Sequence, residues 1–361
     1  MLCASSCRPT MAKPEWTREH EPIAQLGRGD CIVDENGRVA CASKFEALPT
    51  KDFDEPVVQL ASNGAWARCA VLKSGRLACW GCTAIPGFGD LSRNADTTLR
   101  QAKLRFLELP PVREVAIGAY GMCALTHSGQ VSCWGFRAYD ESAICQGPRL
   151  VGAQTLASGI VHIALSRDGP VCSVDAANLM RCTEISDHED VLTLQGVKRV
   201  AAGATHFCAL TELGAVICWG ENSYGQCAAP REACKEWPTD SRDPVSYCRV
   251  EPHQVSLPGP AIDVTAGPSH SCAVLRDGRV FCWGYDQDAA LGFASETECP
   301  NLGPAWRAPQ QPTFCALSPR AVTGIRDAVR VQADKNLGRV HTWALLSNGS
   351  AVAWPLDKKR P

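Results

Sequence analysis

Residues 272–284 read CAVLRDGRVFCWG: two cysteines ten positions apart around a polar turn, closed by Trp-Gly. The phrase returns as CAVLKSGRLACWG at 69–81, CALTHSGQVSCWG at 123–135 and CALTELGAVICWG at 208–220. Recurrence of this kind marks a repeat architecture, in which each copy is one supersecondary unit that buries its faces on its neighbours. With the turn glycine as register mark, the clear copies centre on Gly75, Gly129, Gly214 and Gly278. Weaker copies centre on Gly37 in CIVDENGRVACAS and on Gly169 in IALSRDGPVCSV, with Ile163 and Ser173 at the cysteine positions. A last copy centres on Gly349 in WALLSNGSAVAWP, where Trp343 and Ala353 replace the cysteines. That makes seven.

Each copy reads as a β-hairpin. The flanks are apolar and partly β-branched, and a centre such as Lys73-Ser74-Gly75 suits a three-residue loop whose last residue is left-handed, where glycine is unstrained. Leu72 then faces Arg76 and Cys69 faces Cys79, at a non-hydrogen-bonded site where α-carbons approach to about 4.5 Å. This lies at the short end of disulfide geometry. The candidate staples are Cys31–Cys41, Cys69–Cys79, Cys123–Cys133, Cys208–Cys218 and Cys272–Cys282. A buried apolar pair is the competing reading, as Trp343 and Ala353 illustrate. Co-occurrence favours bonding: a copy with the first cysteine has the second, and the copies on Gly169 and Gly349 lack both. Each bridge would contribute about 2–3 kcal/mol through the unfolded chain.

Ahead of each hairpin stands another extended piece ending in a glycine turn, such as VKRVAAGATHF or AIDVTAGPSHS. Behind it comes a short extended piece: FEAL, LRFLEL, PRLV, VLTL, HQVSL or TFCAL. A unit is thus four short antiparallel strands, apolar on both faces, which radial stacking covers on both sides. The expected fold is all-β: a seven-bladed β-propeller of four-stranded antiparallel blades, closed by the N-terminal strand, with Lys13–Arg18 completing the last blade. Residues 1–12 are expected to be an N-terminal tail or the remnant of an export or lipoprotein signal, and 13–361 a single propeller domain. Long loop insertions are placed at about 221–251 and 285–317.

Composition narrows the function classes. A net charge of −2 offers no field to steer toward nucleic acid, and no apolar run approaches the roughly 20 residues that span a bilayer. Twenty-one cysteines point to an oxidising compartment, although no charged and apolar leader opens the chain. The expected location is extracellular, periplasmic or cell-surface, with cytoplasmic as the alternative. The odd count leaves at least one thiol without an intrachain partner.

The phrases HSCAVLRDGRVFCWG and CALTELGAVICWGENSYGQ resemble the regulator of chromosome condensation repeat, strongly in four copies and weakly in the copies on Gly37, Gly169 and Gly349. The resemblance implies a seven-bladed propeller, and its cysteine-paired form resembles secreted or surface proteins of bacteria. Founding members of the family are guanine-nucleotide exchange factors for a small GTPase and bind chromatin; another relative is a secreted propeller that inhibits β-lactamases. A shared fold does not fix function.

Catalytic constellations are absent from the sequence: there is no GxSxG, HExxH or phosphate-cradling glycine loop. Cys79-Trp80-Gly81-Cys82 is formally CxxC but sits on a hairpin strand, and Ser186–Asp190 reads as a solvated loop. His206, His270 and His341 recur two residues before the cysteine position, but on neighbouring blades they stand too far apart for one zinc ion. They read as packing positions, as do Trp80, Trp134, Trp219, Trp283 and Trp354. What differs among copies is better placed for recognition. The insertions carry Tyr224, Trp237, Tyr247, Asp286, Asp288 and Trp306 as candidate partner-binding residues. Cys299 and Cys315 are a candidate staple of the second loop, and two of Cys227, Cys234 and Cys248 of the first. The expectation is a monomeric, non-enzymatic scaffold without metal or cofactor, binding an unidentified protein or glycan through one loop-rich face and taking no nucleic acid. A hydrolase inhibitor and an exchange-factor-like regulator are the alternatives.

Overall fold

The structure is a computed structural model and describes residues 23–26, 31–34, 36–41, 53–62, 67–81, 104–118, 121–135, 151–166, 170–183, 190–237, 247–295, 297–299, 313–336 and 339–354. Its strands are antiparallel throughout and gather, in chain order, into seven sheets. The sixth is representative: Ala261–Ala266 lies innermost, followed outward by His270–Leu275, Val280–Tyr285 and Cys315–Ala321. Inner strands of consecutive sheets lie against one another, and the chain's first strand, Ile23–Leu26, lies against Arg339–Leu346 of the last sheet. The sheets therefore run around a common axis as a propeller.

Seven four-stranded blades are not what the described residues build. Five sheets have four or more strands; the first and the seventh, which flank the seam, have three. Six buried clusters fill the gaps from the first sheet to the seventh, giving six packed interfaces where a complete ring of seven equal blades needs seven. The reason lies at the seam. The outer strand of each complete sheet comes from the segment after its Trp-Gly, and the corresponding segments of the two end sheets, FEAL at 45–48 and 355–361, lie outside the described residues. So does the expected latch, Lys13–Arg18.

The hairpin turns follow the expected register. Leu72 N–H donates to the Arg76 carbonyl at 2.9 Å, and Gly75 is left-handed at φ +85°. The turn also seats the next sheet: the Gly75 carbonyl accepts the Val112 N–H at 2.8 Å, and a Cβ on Gly75 would come within 2.8 Å of Pro111. This bond recurs at Gly37, Gly129, Gly214 and Gly278.

The fourth copy needs a correction. Ile163 and Ser173 do face each other, but across the inner and second strands. The hairpin is CSVDAANLMRC at 172–182, with Asn178 left-handed at φ 61° in the glycine's place and its carbonyl accepting Val197 N–H at 2.9 Å. Asparagine is one of the few side-chain-bearing residues that tolerate this region. The copy therefore has its cysteine pair, Cys172–Cys182, with α-carbons 3.9 Å apart.

Cysteine pairs and tryptophans occupy opposite faces of a sheet, because alternate strand residues point to opposite sides. Cys208 and Cys218 pack toward the sixth sheet, while Trp219 packs back on the fourth, stacked on Phe207 with centroids 5.4 Å apart. Trp283 is completely buried against the fifth sheet, and Trp354 packs on the sixth.

Every inner strand also carries one register break, between Ile23/Gln25, Val57/Gln59, Val112/Glu114, Ile160/His162, Val197/Arg199, Ala261/Asp263 and Ala328/Arg330. A bulge re-aims the side chain beside it, and here the residue after the break reaches the next sheet. Gln59 Oε1 accepts Val115 N–H at 2.7 Å; Glu114 meets His162 Nδ1 at 2.8 Å; His162 Nε2 is 2.8 Å from the Val200 carbonyl. Arg199 Nη1 donates to Asp263 at 2.7 Å, and the other Asp263 oxygen accepts Val331 N–H at 2.9 Å. A polar belt thus ties the inner strands from the second sheet to the seventh.

Candidate functional site: the insertion-bearing face

Loops between second and third strands are three residues long, whereas the long insertions lie between third and outer strands. Because strand direction alternates, all the insertions emerge on one face of the propeller, together with the turns that join inner to second strands.

On this face the segment after each Trp-Gly bolts one sheet to the next. In the fifth sheet the Gln226 carbonyl accepts two hydrogen bonds at 2.9 Å from sheet six, from Ser271 Oγ and Trp283 Nε1. The Ser271 hydroxyl has only one proton and gives it to Gln226, so the contact of His206 Nε2 with Ser271 Oγ, at 2.8 Å, has the imidazole N–H as donor. One sheet further on the set is repeated. The Ala290 carbonyl accepts from Thr342 Oγ1 at 2.8 Å and Trp354 Nε1 at 2.6 Å, and His270 Nε2 lies 2.8 Å from Thr342 Oγ1. Both imidazoles are held neutral. Burial lowers His206 to about 3, with the charge of His270 as a lesser cause, and lowers His270 to about 4. Gly203 and Gly267 make room for the rings, since a Cβ at either would lie 2.5 Å from its histidine's Cε1.

The loop residues expected to recognise a partner have mixed roles. Tyr224 stacks on Tyr285 with centroids 4.8 Å apart and planes 16° from parallel, bridging the two insertions. Burial, and after it the charges of Asp288 and Asp286, push the Tyr285 phenol up. Asp286 caps its own loop, accepting Leu291 N–H at 3.3 Å and Ser295 N–H at 3.4 Å, and burial raises its carboxyl. Asp288 is exposed and accepts Val340 N–H from the seventh sheet at 3.1 Å. It and Ala289 are left-handed, at φ 56° and 61°, a strained tip for side chains other than glycine. Trp237 and Tyr247 are register partners where Lys235–Trp237 adds a fifth strand to the fifth sheet. Trp306 lies outside the described residues.

Cysteine chemistry stiffens the same face. Cys234–Cys248 closes the extra strand's hairpin and Cys299–Cys315 the second insertion, with α-carbons 4.9 and 5.0 Å apart. Cys227 is a buried free thiol, raised well above its ordinary pKa, first by burial and then by the charge of Glu221. In the hairpins, Cys69–Cys79, Cys123–Cys133, Cys208–Cys218 and Cys272–Cys282 are bonded, each with α-carbons 4.1 Å apart. Cys31 and Cys41 are opposite in register. Cys3, Cys7, Cys82 and Cys145 lie outside the described residues. Among the described residues no cluster of three His, Cys, Asp or Glu is arranged to hold a metal, and no helix is long and apolar enough to cross a membrane. Sequence reasoning missed Ser271 and Thr342, whose partners stand in other copies, and Cys172–Cys182, whose spacing of ten was the available signal.

Against this geometry the likenesses to known proteins are consistent. The profile of the regulator of chromosome condensation (RCC1) repeat matches residues 197–226 and 261–288, and a second profile of that repeat matches 214–274. Protein pim1 of Schizosaccharomyces pombe is 27% identical over 229 residues, 56% of this chain and 42% of that protein. The secretion-regulating guanine nucleotide exchange factor of Mus musculus is 30% identical over 126 residues, 32% of this chain and 26% of that one. The chain spans less than half the length of the curated relatives it matches. Among solved structures, Prp20p of Saccharomyces cerevisiae, characterised for binding Gsp1p and histones, superposes with a TM-score of 0.61 at 17% identity, over 91% of this chain and 81% of that one. The ectodomain of the Arabidopsis thaliana receptor kinase ACR4 does so with a TM-score of 0.51 at 17% identity, over 90% and 89%.

Proposed function

The chain belongs to the regulator of chromosome condensation repeat family, and from that premise we propose that it is a non-enzymatic, monomeric scaffold whose insertion-bearing face binds a protein partner. One observation carries the reading: the long insertions all leave the ring on the same side, two of them closed by disulfides and joined by the Tyr224–Tyr285 stack. Loops fixed on a rigid frame lose little entropy on binding, which favours affinity. Tyr224 and Tyr285, half-buried in that stack, supply hot-spot chemistry. Cross-linking mass spectrometry on cells that make the protein tests this. Partner cross-links should fall within 222–246 and 286–314; cross-links confined to other surfaces would overturn it.

The hairpin staples favour work in an oxidising compartment, at an exported or surface location. Peptide mapping of native protein, alkylated without reduction, should return Cys172–Cys182 and the four other bonded hairpin pairs. Free thiols at those sites would move the protein to a reducing compartment.

A second reading rests on the likeness to the secretion-regulating exchange factor: the same face would promote nucleotide release from a small GTPase. Release of a fluorescent guanine nucleotide from a GTPase panel separates the two, since a pure scaffold leaves the rates unchanged.

A further inference from the structure

The turn of the last hairpin is Ser347-Asn348-Gly349, followed by Ser350. Of the eight asparagines in the chain, Asn348 alone has serine or threonine two residues on with no proline between, the pattern of an N-linked glycan acceptor. Such a pattern matters only where the side chain can be reached, and here it can. Asn348 is exposed at the middle of the three-residue turn, where its counterpart Leu213 in the fifth sheet is 87% exposed. The turn stands on the face opposite the insertions.

The amide is also oriented. Ser350 N–H donates to Asn348 Oδ1 at 2.9 Å, and the Ser350 hydroxyl donates to the same oxygen at 2.7 Å. A backbone N–H can only donate, so the atom facing it is the oxygen and Nδ2 is the atom turned away. Among the described residues Nδ2 has no partner. Two donors on Oδ1 draw charge onto the oxygen and make an Nδ2 proton easier to lose. Asn36 is the built-in contrast. It holds the same turn position, is exposed and precedes Gly37, but Arg38 stands where Ser350 does, so the hydroxyl is missing. Asn-Gly pairs also invite deamidation through attack by the glycine nitrogen, but the Gly349 N–H is engaged by the Leu346 carbonyl at 3.0 Å.

We propose that Asn348 is the acceptor of an N-linked oligosaccharide, added as the chain passes through an oxidising compartment; the inference rests on the compartment reading above. The donor is an oligosaccharide carried on a lipid diphosphate. Asn348 Nδ2 bonds to the anomeric carbon of the first sugar, and the bond from that carbon to the diphosphate oxygen breaks. The lipid diphosphate leaves with the electron pair, and one Nδ2 proton passes to a base of the transferring enzyme. The glycan then sheathes the turn face beside the seam and leaves the insertion-bearing face clear for its partner.

The test is a peptide map of the full chain, purified in native form from the cells that make it and alkylated without reduction. Half the digest is treated with a peptide N-glycan amidase in heavy-oxygen water. The peptide holding Asn348 should carry sugar, and the amidase should convert Asn348 to a heavy-oxygen aspartate while Asn36 stays asparagine. Ser350→Ala keeps the asparagine but removes the hydroxyl, and should lose the glycan entirely; Ser350→Thr should keep it. Asn348→Gln, a change at an exposed turn tip with no packing to lose, should lose it as well. An unmodified Asn348 beside a bonded Cys172–Cys182 overturns this inference alone. Free thiols at that pair overturn the compartment reading and this inference with it. Deamidated Asn348 without sugar, a glycan on Asn36, or a glycan that survives Ser350→Ala also overturns it.

Discussion

His206 and Ser271 stand 65 residues apart in the chain, yet their side chains meet at 2.8 Å, both buried, at the junction of the fifth and sixth sheets. Histidine N–H, serine hydroxyl and the Gln226 carbonyl form a one-way chain of donors. Among the described residues the Nδ1 of His206 has no hydrogen-bond partner, which suits an unprotonated nitrogen. Removing the relay hydroxyl in Ser271→Ala leaves the imidazole N–H unpaired and should cost about 1–3 kcal/mol, read as a lower denaturant midpoint with an unchanged slope.

The two neutral histidines make stability depend on pH. Their folded-state values, about 3 for His206 and about 4 for His270, lie below the ordinary 6.5. Between pH 6.5 and about 4 the unfolded chain thus binds protons that the folded chain refuses, so stability present above pH 6.5 is lost as pH falls. Each histidine should remove about 1.4 kcal/mol per pH unit below about pH 6. Urea midpoints measured across this range should decline in the wild type and decline less in His270→Gln; parallel slopes for the two proteins would contradict the assignment.

Asn178 is expected to behave as a glycine substitute. With φ at 61°, Asn178→Gly should shift stability by no more than a few tenths of a kcal/mol, whereas Asn178→Val should cost about 1–2 kcal/mol from the left-handed backbone alone. Thermal melts of both variants under non-reducing conditions check this.

Asp263 is the best-buried acid of the polar belt, and it serves two neighbours, Arg199 and the Val331 N–H. Asp263→Ala orphans that amide and should cost about 2–3 kcal/mol; Asp263→Asn, which keeps an acceptor, should recover part of the loss. Chemical denaturation distinguishes them.

Ring closure is expected to run through the segment before Ile23. In six sheets the turn residue's carbonyl accepts the N–H that opens the next inner strand, from Gly37–Val57 round to Gly278–Ala328. The equivalent pair at the seam is Gly349 and Ile23, and Ala351–Trp354 is the outermost strand of its sheet among the described residues. Lys13–Arg18 is proposed to lie beside that strand. Deleting residues 1–18 should then speed amide exchange at 351–354 and leave the fourth sheet unaffected; equal protection in both proteins would place the latch elsewhere.

The sequence by itself determined the hairpin, because its register depends on residues a few positions apart. A turn residue that accepts positive φ sets Cys69 against Cys79 and Cys272 against Cys282, and alternation then sends the following tryptophan to the other face. The same logic was available for Cys172 and Cys182 but was obscured by asparagine at the turn and by Gly169 nearby. What only the tertiary structure decided are the contacts between sheets: His206 on Ser271, Asp263 on Val331, and Tyr224 on Tyr285. Nothing local specifies which residue of one copy meets which residue of the next, because that pairing is fixed by how far each sheet rotates about the axis. The two faces separate for the same reason. The strand count in each unit sends the insertions to one side and the three-residue turns, with Asn348 among them, to the other.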